Sequence, residues 1–306
     1  MAPPLILLRP VAVALAVLAG ALALGACSPI KLVDRLTPTD TYTVQNGIAY
    51  GDAPRQRLDL YQPLARTAPP PGKRPLVVFF YGGTWTTGER AQYRFVGEAL
   101  AAHGAVVAVA DYRLSGEVQY PAFVRDSALA VKWGLDHAAA VGADPAQVYV
   151  MGHSSGAYNA AMVALDGRWL GELGASPRQL AGWIGLAGPY DFLPIGDPDV
   201  KRAFDWPRTL PESQPIQHVT AAAPRTLLMA ATRDNLVEPQ RNTAQMARRL
   251  EAAGVPVEVH TFDNLSHITL MGAVARRIQW IGGPVMPPLL SFLGLPPSDS
   301  SHRAPH

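Results

Sequence analysis

The sequence has little of several things. Cys27 is the only cysteine among 306 residues, so no internal disulfide can hold the chain together. Charge is sparse too: Asp, Glu, Lys and Arg make up 16% and the formal net charge is +2. No basic stripe interleaved with aromatic residues appears, which sets nucleic acid aside as a partner. Long charge runs and repeats of fixed period are also missing, so neither charged tails nor repeat architectures are indicated. What the chain has is apolar content, 48% of the residues, enough to bury a full core. At this length one large α/β domain is the simplest arrangement.

A full membrane span is missing as well. The apolar run "VAVALAVLAGALALGA", Val11 to Ala26, follows Arg9 and is about sixteen residues long, short of the roughly 20 that a spanning helix needs. With its basic start and small-residue end it predicts a cleaved export signal over residues 1–27. Leu24-Gly25-Ala26-Cys27 resembles the bacterial lipobox, in which the cysteine becomes the lipidated first residue of the mature protein. Lipidation would account for a lone thiol in an oxidising compartment; the alternative is an ordinary secretory signal with an incidental cysteine. In lipoproteins of this pattern an aspartate after the cysteine marks inner-membrane retention. Ser28 stands there, implying a lipid anchor in the outer membrane, facing the periplasm. Residues 28–45 then read as a tether, 46–296 as the folded domain and 297–306 as a disordered tail.

Within the domain, short apolar segments alternate with helical patterns. Strands are expected at Arg57 to Tyr61, Leu76 to Tyr81, Ala105 to Ala110, Gln147 to Met151, Trp183 to Leu186, Thr226 to Ala230 and Val257 to Phe262. Helices are expected at Ala91 to Ala102, Pro121 to Val141, Ser155 to Leu165, Pro239 to Ala253 and after His267. This alternation predicts a doubly wound, mostly parallel sheet, whose chemistry gathers at the carboxyl ends of its strands.

One such end carries Gly152-His153-Ser154-Ser155-Gly156, between the strand "QVYVM" and an alanine-rich helix. A tight strand-to-helix turn presents a serine hydroxyl at a helix N-terminus, which makes Ser154 the candidate nucleophile. Ser155 is already in the helix and offers its backbone N–H instead. A serine hydroxyl needs a base held by a third group. Of eight histidines, His267 in "NLSHITLM" follows the last expected strand and fits best. His153 adjoins the nucleophile, but its side chain is expected to leave the elbow in another direction. Asp234, in the loop after "TLLMAA", is the candidate acid; Asp263, four residues before His267, is its rival. The loop after "PLVVFFY" reads Tyr81-Gly82-Gly83-Thr84-Trp85, and the N–H groups of Gly83 and Thr84 can join that of Ser155 as an oxyanion hole.

Together "LDLYQP", "FFYGGTW", "DYRL", "YPAFVRDSALAVKW", "GHSSGAYNA", "DNLVEP" and "SHITLM" resemble an α/β-hydrolase of the esterase/lipase group. The resemblance is to its branch of feruloyl-esterase-like and kynurenine-formamidase-like proteins. It implies an α/β-hydrolase fold and the roles just given to Ser154, Asp234, His267, Gly83, Thr84 and Ser155, with "DYRL" bracing a strand end. The family usually has His-Gly-Gly where Tyr81 precedes the glycines, so the support of this loop must differ. The implied activity is a carboxylesterase acting on small-molecule esters through an acyl-enzyme, with no metal and no cofactor. The alternatives are an arylformamidase-type amide hydrolase and a non-catalytic binding module. Tyr81, Trp85, Tyr112 and Phe192 are candidate pocket walls. The insert from Pro194 to Pro215, charged and poor in apolar residues, reads as a small cap. It predicts short acyl groups of roughly two to six carbons, because each further methylene contributes its ~0.8 kcal/mol only against an apolar wall.

Overall fold

The computed structural model describes residues 33–64, 69–277 and 284–296; the expected signal segment with Cys27, and the tail, lie outside these. Among the described residues eight strands form one sheet: β1 (Tyr42–Ala49), β2 (Arg57–Pro63), β3 (Arg74–Phe80), β4 (Val106–Ala110), β5 (Ala143–His153), β6 (Gly182–Leu186), β7 (Thr226–Ala231) and β8 (Val257–Phe262). Their order is β1-β2-β4-β3-β5-β6-β7-β8. The β1/β2 and β2/β4 pairs are antiparallel and all others parallel. The continuous apolar runs "RPLVVFF" and "TLLMAA" are buried along their whole length, as strands covered on both faces should be, whereas β8 at the sheet edge is only half buried.

Seven strands lie close to where the sequence places them. The eighth corrects the domain boundary. β1, "YTVQNGIA", begins at Tyr42, inside the segment 28–45 expected to be a tether, and Val33 and Thr37 already pack into the fold. Its mostly polar, exposed residues and the register shift between Gln45 and Ile48 erase the alternation by which a strand is read.

The helices are α1 (Arg94–Ala101), α2 (Ala122–His137), α3 (Ser155–Leu165), α4 (Arg168–Gly171), α5 (Pro198–Ala203), α6 (Gln245–Ala252), α7 (His267–Gly272) and α8 (Met286–Phe292). The chain steps one way across the sheet from β3 to β4 and the other way from β4 to β5. Right-handed crossovers therefore put α1 on one face and α2, α3 and α6 on the other. The reversal beside β3 opens a crevice at the carboxyl ends of β3 and β5, the place where doubly wound sheets bind ligands.

Below that crevice the loop after β4 is tied to α2 by a buried charge. The Asp126 carboxylate accepts from Arg113 Nη2 (2.7 Å) and Nε (2.9 Å), from the Arg113 amide (2.9 Å) and from Gln56 Nε2 (2.7 Å). This is the bracing implied for "DYRL". Asp126→Ala leaves the buried Gln56 amide unpaired and releases Arg113, at a cost of about 3 kcal/mol. At roughly 2–4 °C per kcal/mol, a thermal melt of this variant should fall by several degrees; an unchanged midpoint would show that the brace contributes nothing.

Candidate active site

Ser154 stands between the last residue of β5 and the first of α3, at φ 54°, ψ −124°, a conformation rarely adopted by residues with a side chain. Its amide donates to the Leu186 carbonyl (2.9 Å), and its own carbonyl accepts from Ala157 (2.9 Å). The turn closes only because its flanks lack side chains. A Cβ on Gly156 would lie 2.1 Å from the Phe80 carbonyl oxygen, and one on Gly152 would lie 2.1 Å from that of Gly156. The bend costs about 1–3 kcal/mol and aims Oγ into the crevice.

There Ser154 Oγ lies 2.8 Å from His267 Nε2, and His267 Nδ1 lies 2.7 Å from Asp234 Oδ2. The other Asp234 oxygen accepts the amides of Leu236 and Val237, both at 2.9 Å. Burial opposes ionisation of Asp234, but the hydrogen bond from His267 and the two amides outweigh it and hold the carboxyl below its usual range. A carboxylate at Nδ1 fixes the proton there, leaving the Nε2 lone pair to face the serine hydroxyl. His267 opens α7, whose first turn is closed by the Ser266 hydroxyl. The rival acid, Asp263, is exposed and makes no hydrogen bond to His267.

The loop after β3 faces this chain of three residues. Gly83, Thr84 and Trp85 follow one another at φ 139°, 53° and 59°. Among the described residues the amides of Gly83, Thr84 and Ser155 donate to no protein acceptor, and all three residues line one cavity with Ser154. The loop is pinned through Trp85, whose indole N–H donates to Asn159 Oδ1 (3.1 Å) and whose ring meets Phe204 edge-on at 4.8 Å.

Two expected pocket walls are corrected. Tyr81 and Tyr112 do not line the cavity but lie beneath the loop. Tyr81 stacks between Tyr93 and Tyr112, donates its hydroxyl hydrogen to Asp111 (2.7 Å) and accepts from Arg55 (2.8 Å), while Tyr112 donates to the Tyr81 carbonyl (2.9 Å). Buried hydroxyls go where partners are, and Asp111 and Arg55 offer them below the loop. Burial, reinforced by Tyr112 and Asp111, pushes the Tyr81 phenol far above its usual range, so it stays a neutral donor. This is how the loop is supported without the usual histidine.

The cavity has a volume of about 700 Å³, with walls formed by Trp85, Tyr93, Phe192, Ile195, Val200 and Leu236. Trp85 and Phe192, two of the expected walls, are among these residues. The insert does cover one side, and its inner surface is more apolar than its composition: Ile195 and Val200 face the cavity beside Asp197, and Phe204 is buried against Trp85 and Phe192. Among the described residues no cluster of three or more His, Cys, Asp or Glu is placed to hold a metal ion. His153 was expected only to point away from the elbow. It turns toward His267, lines the cavity and donates its Nε2–H to the His267 carbonyl at 3.0 Å. Its position beside Ser154 was visible in the sequence; the direction of its side chain was not.

Residues 58–250 match the family model BD-FAE. A probable isoprenylcysteine alpha-carbonyl methylesterase of Arabidopsis thaliana is 28% identical, over 74% of this chain and 51% of that protein, so the chain spans about half the length of that relative. The kynurenine formamidase of Danio rerio is 25% identical, over 73% of this chain and 74% of that protein. A truncated carbohydrate esterase from gut microbiota has the same fold, with a TM-score of 0.71 over 84% of this chain and 98% of that chain, at 18% identity.

Burial, and then the neighbouring His267, push His153 from the ordinary 6.5 down to about 3. An unfolded chain takes up this proton near the ordinary value, the folded chain only near the lowered one. Between the two the unfolded state binds more protons, so this group removes stability as the pH falls. Glutamine has no such titration. Urea unfolding at about pH 7 and about pH 4.5 should show wild type losing stability relative to His153→Gln on acidification; a difference independent of pH would contradict the buried, neutral imidazole.

Proposed function

The chain belongs to the BD-FAE family and has the α/β-hydrolase fold, and on that premise we propose that it is a carboxylesterase acting on short-chain or aryl carboxylic esters through an acyl-enzyme on Ser154. The observation that carries this reading is the Ser154–His267–Asp234 chain of hydrogen bonds, facing three unpaired amides across one apolar cavity.

The reaction uses these groups in order. Ser154 Oγ attacks the ester carbonyl as His267 Nε2 takes its proton, and Asp234 holds the imidazolium in place. The carbonyl oxygen becomes an anion and settles on the amides of Gly83, Thr84 and Ser155; losing one such donor typically costs 10²–10³ in rate. The C–O bond then breaks, the alcohol leaves with the proton from His267, and water repeats the cycle on the acyl-serine. Every step is assigned to the chain's own groups, none to a metal or cofactor. The aromatic walls Trp85 and Phe192 suit an aryl group. The likeness to a kynurenine formamidase supports a second reading, attack by the same serine on an N-formyl amide.

The proposal extends to location. A lipid on Cys27 would anchor the domain to the cell envelope, in the outer membrane facing the periplasm. No helix among the described residues is long and apolar enough to cross a membrane.

Three experiments test these readings. Ser154→Ala, His267→Ala and Asp234→Asn should each lower kcat by roughly 10⁴-fold or more, with Asp263→Asn close to wild type. Across acyl esters of graded length, aryl esters and N-formylkynurenine, kcat/KM should be highest for short or aryl esters. A maximum at long chains would indicate a lipase, one at the formyl amide would establish the second reading, and an active Ser154→Ala would remove the acyl-enzyme. Separately, mass spectrometry of the mature N-terminus should find diacylglyceryl on Cys27; an unmodified terminus downstream of Cys27 would refute the anchor.

A further inference from the structure

His153 takes no part in the steps above, yet it is fully buried at their centre. It ends β5, next to Ser154 in the chain, and its ring lies 4.9 Å from that of His267. Its Nε2–H donates to the main-chain carbonyl of His267 at 3.0 Å, so the proton sits on Nε2. Its other nitrogen, Nδ1, is buried without a hydrogen-bond partner among the described residues, against the backbone at Gly82, where a Cβ would come within 3.1 Å. A buried polar atom left unpaired costs about 1–3 kcal/mol. An apolar side chain would avoid that cost, so the hydrogen bond made by the other nitrogen is what a histidine supplies here.

The need for that bond lies in how His267 is held. Its side chain is fixed from two sides, by Asp234 and Ser154, but its main chain follows a turn in which Asp263, Asn264 and Ser266 are exposed. Nucleophile and base come from elements 113 residues apart in sequence, and their separation is set by how firmly this turn sits against the elbow. His153 joins the two by the shortest route, one residue from Ser154 to the backbone of His267.

We propose that His153 is a positioning residue, whose Nε2–H holds the His267 main chain against the nucleophile turn and so sets the Ser154 Oγ to His267 Nε2 distance. The inference rests on the serine-hydrolase reading and deepens it. The group must also be neutral, because His267 becomes cationic 4.9 Å away each time it takes the serine proton, and burial keeps His153 uncharged. Glutamine can present an N–H at nearly the reach of Nε2. Asparagine is too short and leucine has no donor.

The test compares His153→Gln, His153→Asn and His153→Leu, each first checked for a cooperative thermal transition. Kinetics on a short ester are joined to the rate at which a fluorophosphonate labels Ser154, which also needs His267 as base. Displacing a catalytic group by about 1 Å can cost 10²-fold in rate. His153→Leu and His153→Asn should therefore lose roughly 10- to 100-fold in kcat and in labelling, with KM within about twofold; His153→Gln should recover most of the loss. A leucine variant with wild-type kcat, a glutamine variant no better than leucine, or a loss confined to KM would overturn the proposal. If leucine does not fold, equal rates for glutamine and asparagine would overturn it. A wild type that hydrolyses no ester would instead sink the esterase reading, and the labelling rates would still decide the role of His153.

Discussion

The contact between Gly156 and the last carbonyls of β3 is the constraint on which the rest of the site depends. With no side chain at Gly156 or Gly152, the start of α3 can press against the end of β3 until only backbone separates them. The same contact that bends the chain at Ser154 also brings the β3 loop, with its free amides, to the serine. Ser154 and the free amides of the β3 loop are therefore placed by one packing event. A methyl group at Gly156 would displace both, which no adjustment of a distant loop can restore.

Around this contact, polar groups are sorted by depth. Beneath the β3 loop, Asp111 gathers the Tyr81 hydroxyl, the Arg90 amide and the Arg90 and Arg55 guanidiniums, while Asp59 takes Arg90 Nε at 2.8 Å. These ions satisfy one another outside the cavity, whose walls are largely apolar. In such surroundings a free amide acts with little competition from water, and under the proposed reaction the amides of Gly83, Thr84 and Ser155 meet the substrate oxygen with no ionic partner of their own.

How much of this was legible in the sequence depends on where each signal resides. The parallel strands announce themselves as continuous apolar runs, and Ser154, Asp234 and His267 each stand just beyond one, so topology brings together residues far apart in the chain. β1 gave no such signal, because it is a polar edge strand fixed by pairing with β2. Tyr81 and Tyr112 sit where wall residues belong by chain position, but the directions of their side chains follow from partners at Asp111 and the Tyr81 carbonyl that no local pattern reveals. The partner of His153 was hidden for the same reason: it is a main-chain carbonyl contributed by a residue 114 positions further along the chain. The insert was misjudged on its inner face, since composition averages over the two sides of a cap.

Phe204, at the end of the insert's helix, packs on Trp85, the residue that ends the run of positive-φ positions after β3. The insert and this loop are thus mechanically in series. A movement that lifted the insert would also withdraw the packing that keeps Trp85 in its strained conformation. The free energy of such a movement includes a loosening of the neighbouring Gly83 and Thr84 amides. The two segments therefore share a joint, and under the proposed reaction the room made for a bulky substrate is bound to the precision with which a small one is held.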